Sequence, residues 1–185
     1  LTPQKYIFEQ YSSINEDYIQ EEFKNEEGML TRFTDIPSVL MVNMDLVGDV
    51  EIHGYADLLK EELRGKIAFC NPAISSSAYE HLINMLFTMG DEKPGWEFMG
   101  LFCENLDGEL LTSSTEVYEG VSNGEYVVGL IFEEGAASYV AKGENIKIVY
   151  MKEGVVTTPD CVSIVKNAVN RDNARIFIDF VTGYD

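Results

Sequence analysis

The sequence predicts an α/β protein built on a mixed, mostly parallel sheet with helices on both faces. Three observations carry this. Short apolar runs of strand length alternate with amphipathic runs of helix length, in units of roughly 20 to 30 residues, the pattern of βαβ crossovers. The run Ser38–Asn43 is apolar without alternation, as in a strand covered on both sides. The hydrophobic fraction, 45% of 185 residues, is enough for a packed core.

The elements follow in order. Tyr6–Gly28 is acidic and helix-prone, and reads as peripheral. Ser38–Asn43 is a strand, Tyr55–Leu63 a short helix stopped near Gly65, and Lys66–Cys70 the next strand. Ser75–Met89 is an amphipathic helix, with Ala78, Leu82, Met85, Leu86 and Met89 recurring at spacings of three and four. Ser75, Ser76 and Ser77 supply its N-cap chemistry and Gly90 follows its last turn. Trp96–Glu104 is a helix and Glu109–Leu111 a short strand. Thr115–Ser122 is a helix preceded by Thr112, Ser113 and Ser114. Tyr126–Phe132 is a strand, Ala136–Lys142 a helix and Ile146–Tyr150 a strand. Cys161–Val165 is a strand and Asn173–Val181 a closing helix.

Charge and motifs narrow the function. A net charge of -19 argues against nucleic acid, which needs a basic footprint, and against docking on anionic lipid. No run approaches the roughly 18 to 20 apolar residues of a membrane helix. The chain opens Leu1-Thr2-Pro3 without a starting Met or an apolar leader, and reads as a processed product or an excised piece. Cys70, Cys103 and Cys161 are far apart in apolar contexts, which predicts buried inert thiols, with no zinc or redox motif. His53 and His81 read as surface or helix-face histidines with no neighbouring nucleophile. Neither a G-x-S-x-G elbow nor a phosphate loop is present, so no enzyme, cofactor or resident metal is expected.

Binding chemistry is better represented. In α/β sheets ligands sit beyond the strand C-termini, where helix N-termini converge. Ser75-Ser76-Ser77 and Thr112-Ser113-Ser114-Thr115 each follow a strand and open a helix. Free backbone N–H groups, a positive dipole end and hydroxyl donors make an oxyanion cradle for phosphate, phosphonate or carboxylate. The same residues also serve as plain N-caps. Glu133-Glu134 follows a strand too, and reads either as an acceptor for a ligand amine, hydroxyl or metal or as an acid favouring the helix dipole.

The run Gly65–Tyr79 (GKIAFCNPAISSSAY) resembles a segment of iron(III)/organophosphate-type periplasmic solute-binding proteins, the capture subunits of ABC importers. Gly120–Gly129 (GVSNGEYVVG) is similar to another of their segments. Phe132-Glu133-Glu134, Val149–Gly154, Asn173–Phe180 and Phe33–Asp45 follow the family order, so the likeness covers nearly the whole chain. It implies a periplasmic-binding-protein type II-like lobe within a longer two-lobed protein. Residues 1–32 would be a remnant of the first lobe, 33–160 the second lobe, and 161–185 the return toward the first. It implies capture of a small oxyanion-bearing solute, a phosphorylated sugar, phosphoglycerate or phosphonate, by closure of two lobes. Ser75, Ser76, Ser77, Ser113, Ser114 and Glu133 would line the site. Delivery would be to ABC permease subunits from a periplasmic or cell-surface lipoprotein position, and the full-length protein would be a monomer. Iron-binding members carry two adjacent tyrosines near the Glu133 position, where this chain has Phe132-Glu133-Glu134, which disfavours ferric iron. The alternative, ferric-iron capture, would need hard oxygen ligands such as Glu133, Glu134 or Tyr118.

Overall fold

The computed structural model describes residues 7–90, 95–108 and 110–183. The chain divides into two compact units, Leu1–Ile36 with Thr158–Asp185, and Pro37–Thr157.

The larger unit holds the sheet. The long strand β2 (Thr31–Asn43) enters it at Pro37 and is followed by β3 (Ile67–Ala68), β4 (Val128–Phe132) and β5 (Ile146–Val149), in the order β3-β4-β2-β5. β2 is antiparallel to both neighbours, with Ser38 opposite Phe132 and Leu40 opposite both Leu130 and Val149. β3 is parallel to β4, and Leu111 adds a parallel bridge to Cys70 on the outer side. Strands β3, β4 and β5 therefore point one way and the central β2 runs against them. The sheet is mixed, as expected, but it is not mostly parallel: the long β2 lies antiparallel between β4 and β5. Residues Ser38–Asn43 are buried without a break, because both faces of β2 are covered.

Among the described residues there are five α-helices: α1 (Ser76–Thr88), α2 (Trp96–Leu106), α3 (Ser114–Ser122), α4 (Glu133–Ala141) and α5 (Arg171–Val181). Alternation along the strands shows how two faces are covered. Gly129 of β4 abuts Val117 and Val121 of α3, and a Cβ there would meet both side chains at 2.8 Å. Asn43, on the same face, donates from Nδ2 to the Val121 carbonyl at 2.8 Å. Ser38 of β2 points the other way, its Oγ 3.5 Å from a Glu80 carboxylate oxygen on α1. The core between these layers runs from Val39 to Met151 and includes Leu40, Met41, Tyr55, Phe102, Leu130 and Ile131.

Several expectations are corrected. Tyr55–Leu63 is two 3-10 turns, Tyr55–Leu59 and Glu61–Leu63, because Lys60 between them is extended. They still bury Tyr55, Leu58 and Leu63. Cys70 is buried, but Cys103 and Cys161 are exposed. Cys103 follows the fully buried Phe102, and one step along a helix turns about 100° away from the core. His81 is not a surface residue but fully buried, on the face that α1 turns to the sheet. Of the expected strand Glu109–Leu111, Glu109 lies outside the described residues.

The smaller unit pairs β1 (Phe8–Glu9) with β7 (Ile164–Val165), antiparallel, beside α5. Strand β6 (Thr157–Val162) pairs with β2. Among its described residues, the segment expected to be helix-prone forms β1 and two 3-10 turns, Glu16–Tyr18 and Glu21–Phe23, and no α-helix, with Tyr6 outside the described residues. It is held by side-chain bonds instead. Asp179 of α5 accepts from Tyr11 Oη at 2.7 Å, Ser13 Oγ at 3.0 Å and the Ile14 N–H at 3.1 Å. Bonds of this kind compete with a helix ladder.

Candidate functional site

The topology brings three strand-to-helix corners to one edge of the sheet. Leu111, β3 and β4 are neighbouring and parallel, so their C-terminal ends share an edge. From that edge start α3 at Ser114, α1 at Ser76 and α4 at Glu133. Neighbouring strands lie about 5 Å apart, so the three corners fall within about 10 Å sideways. Strand β5 ends on the same edge, at Val149, because it too is antiparallel to β2.

The three corners differ in charge. At α1 the N-cap is Ser75, whose Oγ accepts from the Ala78 N–H at 3.4 Å and lies 3.0 Å from Ser77 Oγ. Ser77 is buried and Ser76 exposed. The first turn of α1 carries no acid, and the N–H groups of Ser76 and Ser77 have no acceptor within the helix. At α3 the N-cap Ser113 accepts from the Glu116 N–H at 3.2 Å. Glu116 turns back to accept from Thr112 Oγ1 at 2.7 Å and from the Thr112 N–H at 2.9 Å. Those bonds, the hydroxyl's first, hold its carboxyl below the usual carboxylate range. This corner therefore carries its own anion. At α4 no side chain caps Phe132, and Glu133 and Glu134 occupy the first turn.

The α4 corner is also closed from one side. Tyr118 of α3 donates from Oη to the Phe132 carbonyl at 3.2 Å, and its ring lies against Gly135. A Cβ on Gly135 would fall 2.0 Å from that ring, so the position takes only glycine without rearrangement. Burial pushes the Tyr118 phenol up to about 12, with the Glu134 charge adding to it. Tyr118 stacks on Tyr139 at 6.0 Å between ring centres, and Lys142 Nζ lies 4.4 Å over the Tyr139 ring. Glu133 instead accepts from the hydroxyl of Tyr150, the residue just after β5. That bond, ahead of partial burial, raises the Tyr150 phenol.

Of the residues expected from sequence, the fold thus brings Ser75 and Ser77 into contact and sets Ser76 beside them. It places Ser113 and Ser114 in one adjacent corner and Glu133 in the other. Tyr150, which donates to Glu133, was not among the residues expected from sequence. Its signal was available, since it ends a predicted strand by the rule that selected Glu133. Among the described residues, no group of three or more His, Cys, Asp or Glu side chains converges as metal ligands do.

Beneath the edge runs a closed polar chain. Asn84 Nδ2 donates to Tyr55 Oη at 3.0 Å, Tyr55 Oη donates to His81 Nδ1 at 2.8 Å, and His81 Nε2 donates to the Ile131 carbonyl at 3.2 Å. The order follows from the last acceptor: a carbonyl requires the Nε2–H tautomer, which leaves Nδ1 to accept. Burial lowers His81 to about 4, so its ring is neutral.

Comparison with known proteins fits this architecture. The profile of the bacterial extracellular solute-binding protein family matches residues 3–185. Iron uptake protein A1 of Synechocystis sp. is 26% identical over 182 residues, 92% of this chain and 50% of that protein. The periplasmic binding protein AfuA from Actinobacillus pleuropneumoniae, solved with exogenous fructose-6-phosphate bound, superposes with a TM-score of 0.78 at 25% identity. That match covers 96% of this chain and 57% of AfuA. A solved protein described as a two-component system protein mediating signal transduction superposes with a TM-score of 0.82 at 30% identity, over 97% of this chain and 59% of that one. The chain spans about half the length of the curated relatives it matches.

Proposed function

This chain belongs to the bacterial extracellular solute-binding protein family, with the α/β fold of a type II periplasmic-binding lobe, and from that premise we propose that it supplies one wall of a solute site in an ABC importer's capture subunit. The solute is a small oxyanion such as a phosphorylated sugar, phosphoglycerate or phosphonate. The observation that carries this is the start of α1: hydroxyls of Ser75, Ser76 and Ser77, two N–H groups without a helical partner, and no acid in the first turn. Ser113 and Ser114 line the adjacent corner, where the Glu116 carboxylate keeps the oxyanion itself at α1, and Glu133 receives the rest of the ligand.

The chain acts by binding, not by turnover. Affinity differs between open and closed states of the whole protein, and closure follows from that difference. The captured solute passes to permease subunits on the extracytoplasmic side of a membrane. The likeness to AfuA, solved with a sugar phosphate, supports this ligand class.

A titration followed by amide resonances tests the reading on this chain. Added hexose phosphate should shift the amides of Ser76 and Ser77 first. Shifts spread evenly over the acidic surface, or none at millimolar ligand, would remove these residues from the site.

A second reading has one observation in its favour. The Tyr150 phenol and Glu133 carboxylate are two hard oxygen donors already in contact, and a relative is named for iron uptake. Ferric capture at that pair would produce a visible phenolate-to-iron charge-transfer band on adding ferric citrate, abolished in Tyr150→Phe.

A further inference from the structure

The edge has two poles of opposite character. Of the three helices that start there, α1 alone has no acid in its first turn, while α3 carries Glu116 and α4 carries Glu133 and Glu134. An oxyanion is drawn to the first and repelled by the other two. The backbone of α4 offers it little, because the Tyr118 ring covers the first turn at Gly135. What α4 presents is the Glu133 carboxylate, half-buried and fixed from the far side by Tyr150. Strands β4 and β5 are separated by β2, so the Tyr150 phenol reaches across that strand to meet Glu133.

We propose that Tyr150 is a specificity-determining positioning residue: it fixes Glu133 so that the site takes an anion bearing a hydroxyl or ammonium group some 5 to 10 Å away, in preference to a bare oxyanion. This rests on the oxyanion reading of the α1 corner. A phenol donating to one carboxylate oxygen leaves the remaining lone pairs to accept from a ligand donor. Holding the carboxylate in place lowers the ordering cost of that second bond. Inorganic phosphate has no second group to place there, so its binding is indifferent to Tyr150.

The test compares two probes on three proteins. Resonance titrations with a hexose 6-phosphate and with inorganic phosphate are run on the native chain, on Tyr150→Phe and on Glu133→Gln. The amide spectra away from residues 133 and 150 report whether each variant keeps its fold. Tyr150→Phe should weaken hexose phosphate about tenfold, and Glu133→Gln at least as much, with inorganic phosphate unchanged in Tyr150→Phe and not weakened in Glu133→Gln. Equal weakening of both probes in Tyr150→Phe would mean a general structural role and overturn the proposal. Unchanged affinity for both would place Tyr150 outside the site and overturn it too, while leaving the α1 reading intact. Failure of the native chain to bind either probe at Ser76 and Ser77 would overturn the α1 reading itself, and this inference with it.

Discussion

At the scale of single residues, His81 carries the sharpest physical consequence. Its ring is fully buried, neutral, and bonded at both nitrogens within the chain Asn84–Tyr55–His81–Ile131. Its folded value, about 4, lies below its ordinary 6.5. The unfolded chain therefore binds a proton that the folded one refuses, so the contribution is complete above pH 6.5 and is lost as pH falls toward 4. Between pH 7 and pH 5 this single site removes about 2 kcal/mol. Urea unfolding at the two pH values measures it. His81→Gln should be less stable at pH 7 and nearly flat over the same interval. An equally steep loss in that variant would assign the slope to other groups. Tyr55→Phe removes the middle of the chain and strands both neighbours, at a cost of about 1 to 3 kcal/mol at pH 7.

At the scale of elements, the two serine-rich helix starts can be separated into structural and binding parts. Ser75 and Ser113 cap their helices, accepting from the N–H groups of Ala78 and Glu116, while each hydroxyl keeps an O–H to donate. Ser75→Ala and Ser113→Ala should each lower stability by about 1 kcal/mol. Ser76→Ala and Ser114→Ala touch no cap and should stay within about 0.5 kcal/mol. Ser76→Ala with Ser77→Ala should weaken hexose phosphate by about 1 to 3 kcal/mol. A cap-only role would keep the stability losses at Ser75 and Ser113 and leave affinity unmoved in every one of these variants. The helix starts were legible in sequence because a cap is local: a hydroxyl three residues before the N–H it accepts from can be read along the chain. Strand positions were legible for the same reason, from short apolar runs. The direction of β2 was not, since antiparallel pairing with β4 and β5 joins residues 86 to 109 positions apart and leaves no local trace. The Tyr150–Glu133 bond and the burial of His81 were hidden likewise, each fixed by contacts between distant elements. The turns at Tyr55–Leu63 failed differently, because an apolar spacing of three suits both helix types.

At the scale of the whole molecule, the two units are built to different standards. The continuous core, from Val39 to Met151, belongs to the larger unit. In the smaller unit, among the described residues, only Ile164 and Ile178 are buried apolar side chains, and β1 and β7 are two residues each. A two-stranded pairing with so little apolar burial is marginal by itself. Helix α5 shows the same imbalance: Ile178 faces inward, while Ile176, Phe177 and Phe180 form an exposed apolar stripe. Leu40→Ala in the larger unit should therefore cost about 2 to 5 kcal/mol, and Phe180→Ser in the smaller one close to nothing. Native-state hydrogen exchange reads the difference without mutation. Amides of β4 and of Leu40–Val42 should exchange only through global opening, and those of α5 and the β1–β7 pair about 100-fold faster or more, through local opening. In rising urea the α5 amides should keep their rate, while the β4 amides follow the global slope. Equal protection in both units would mean that α5 draws its stability from contacts other than Ile178 and the Asp179 bonds.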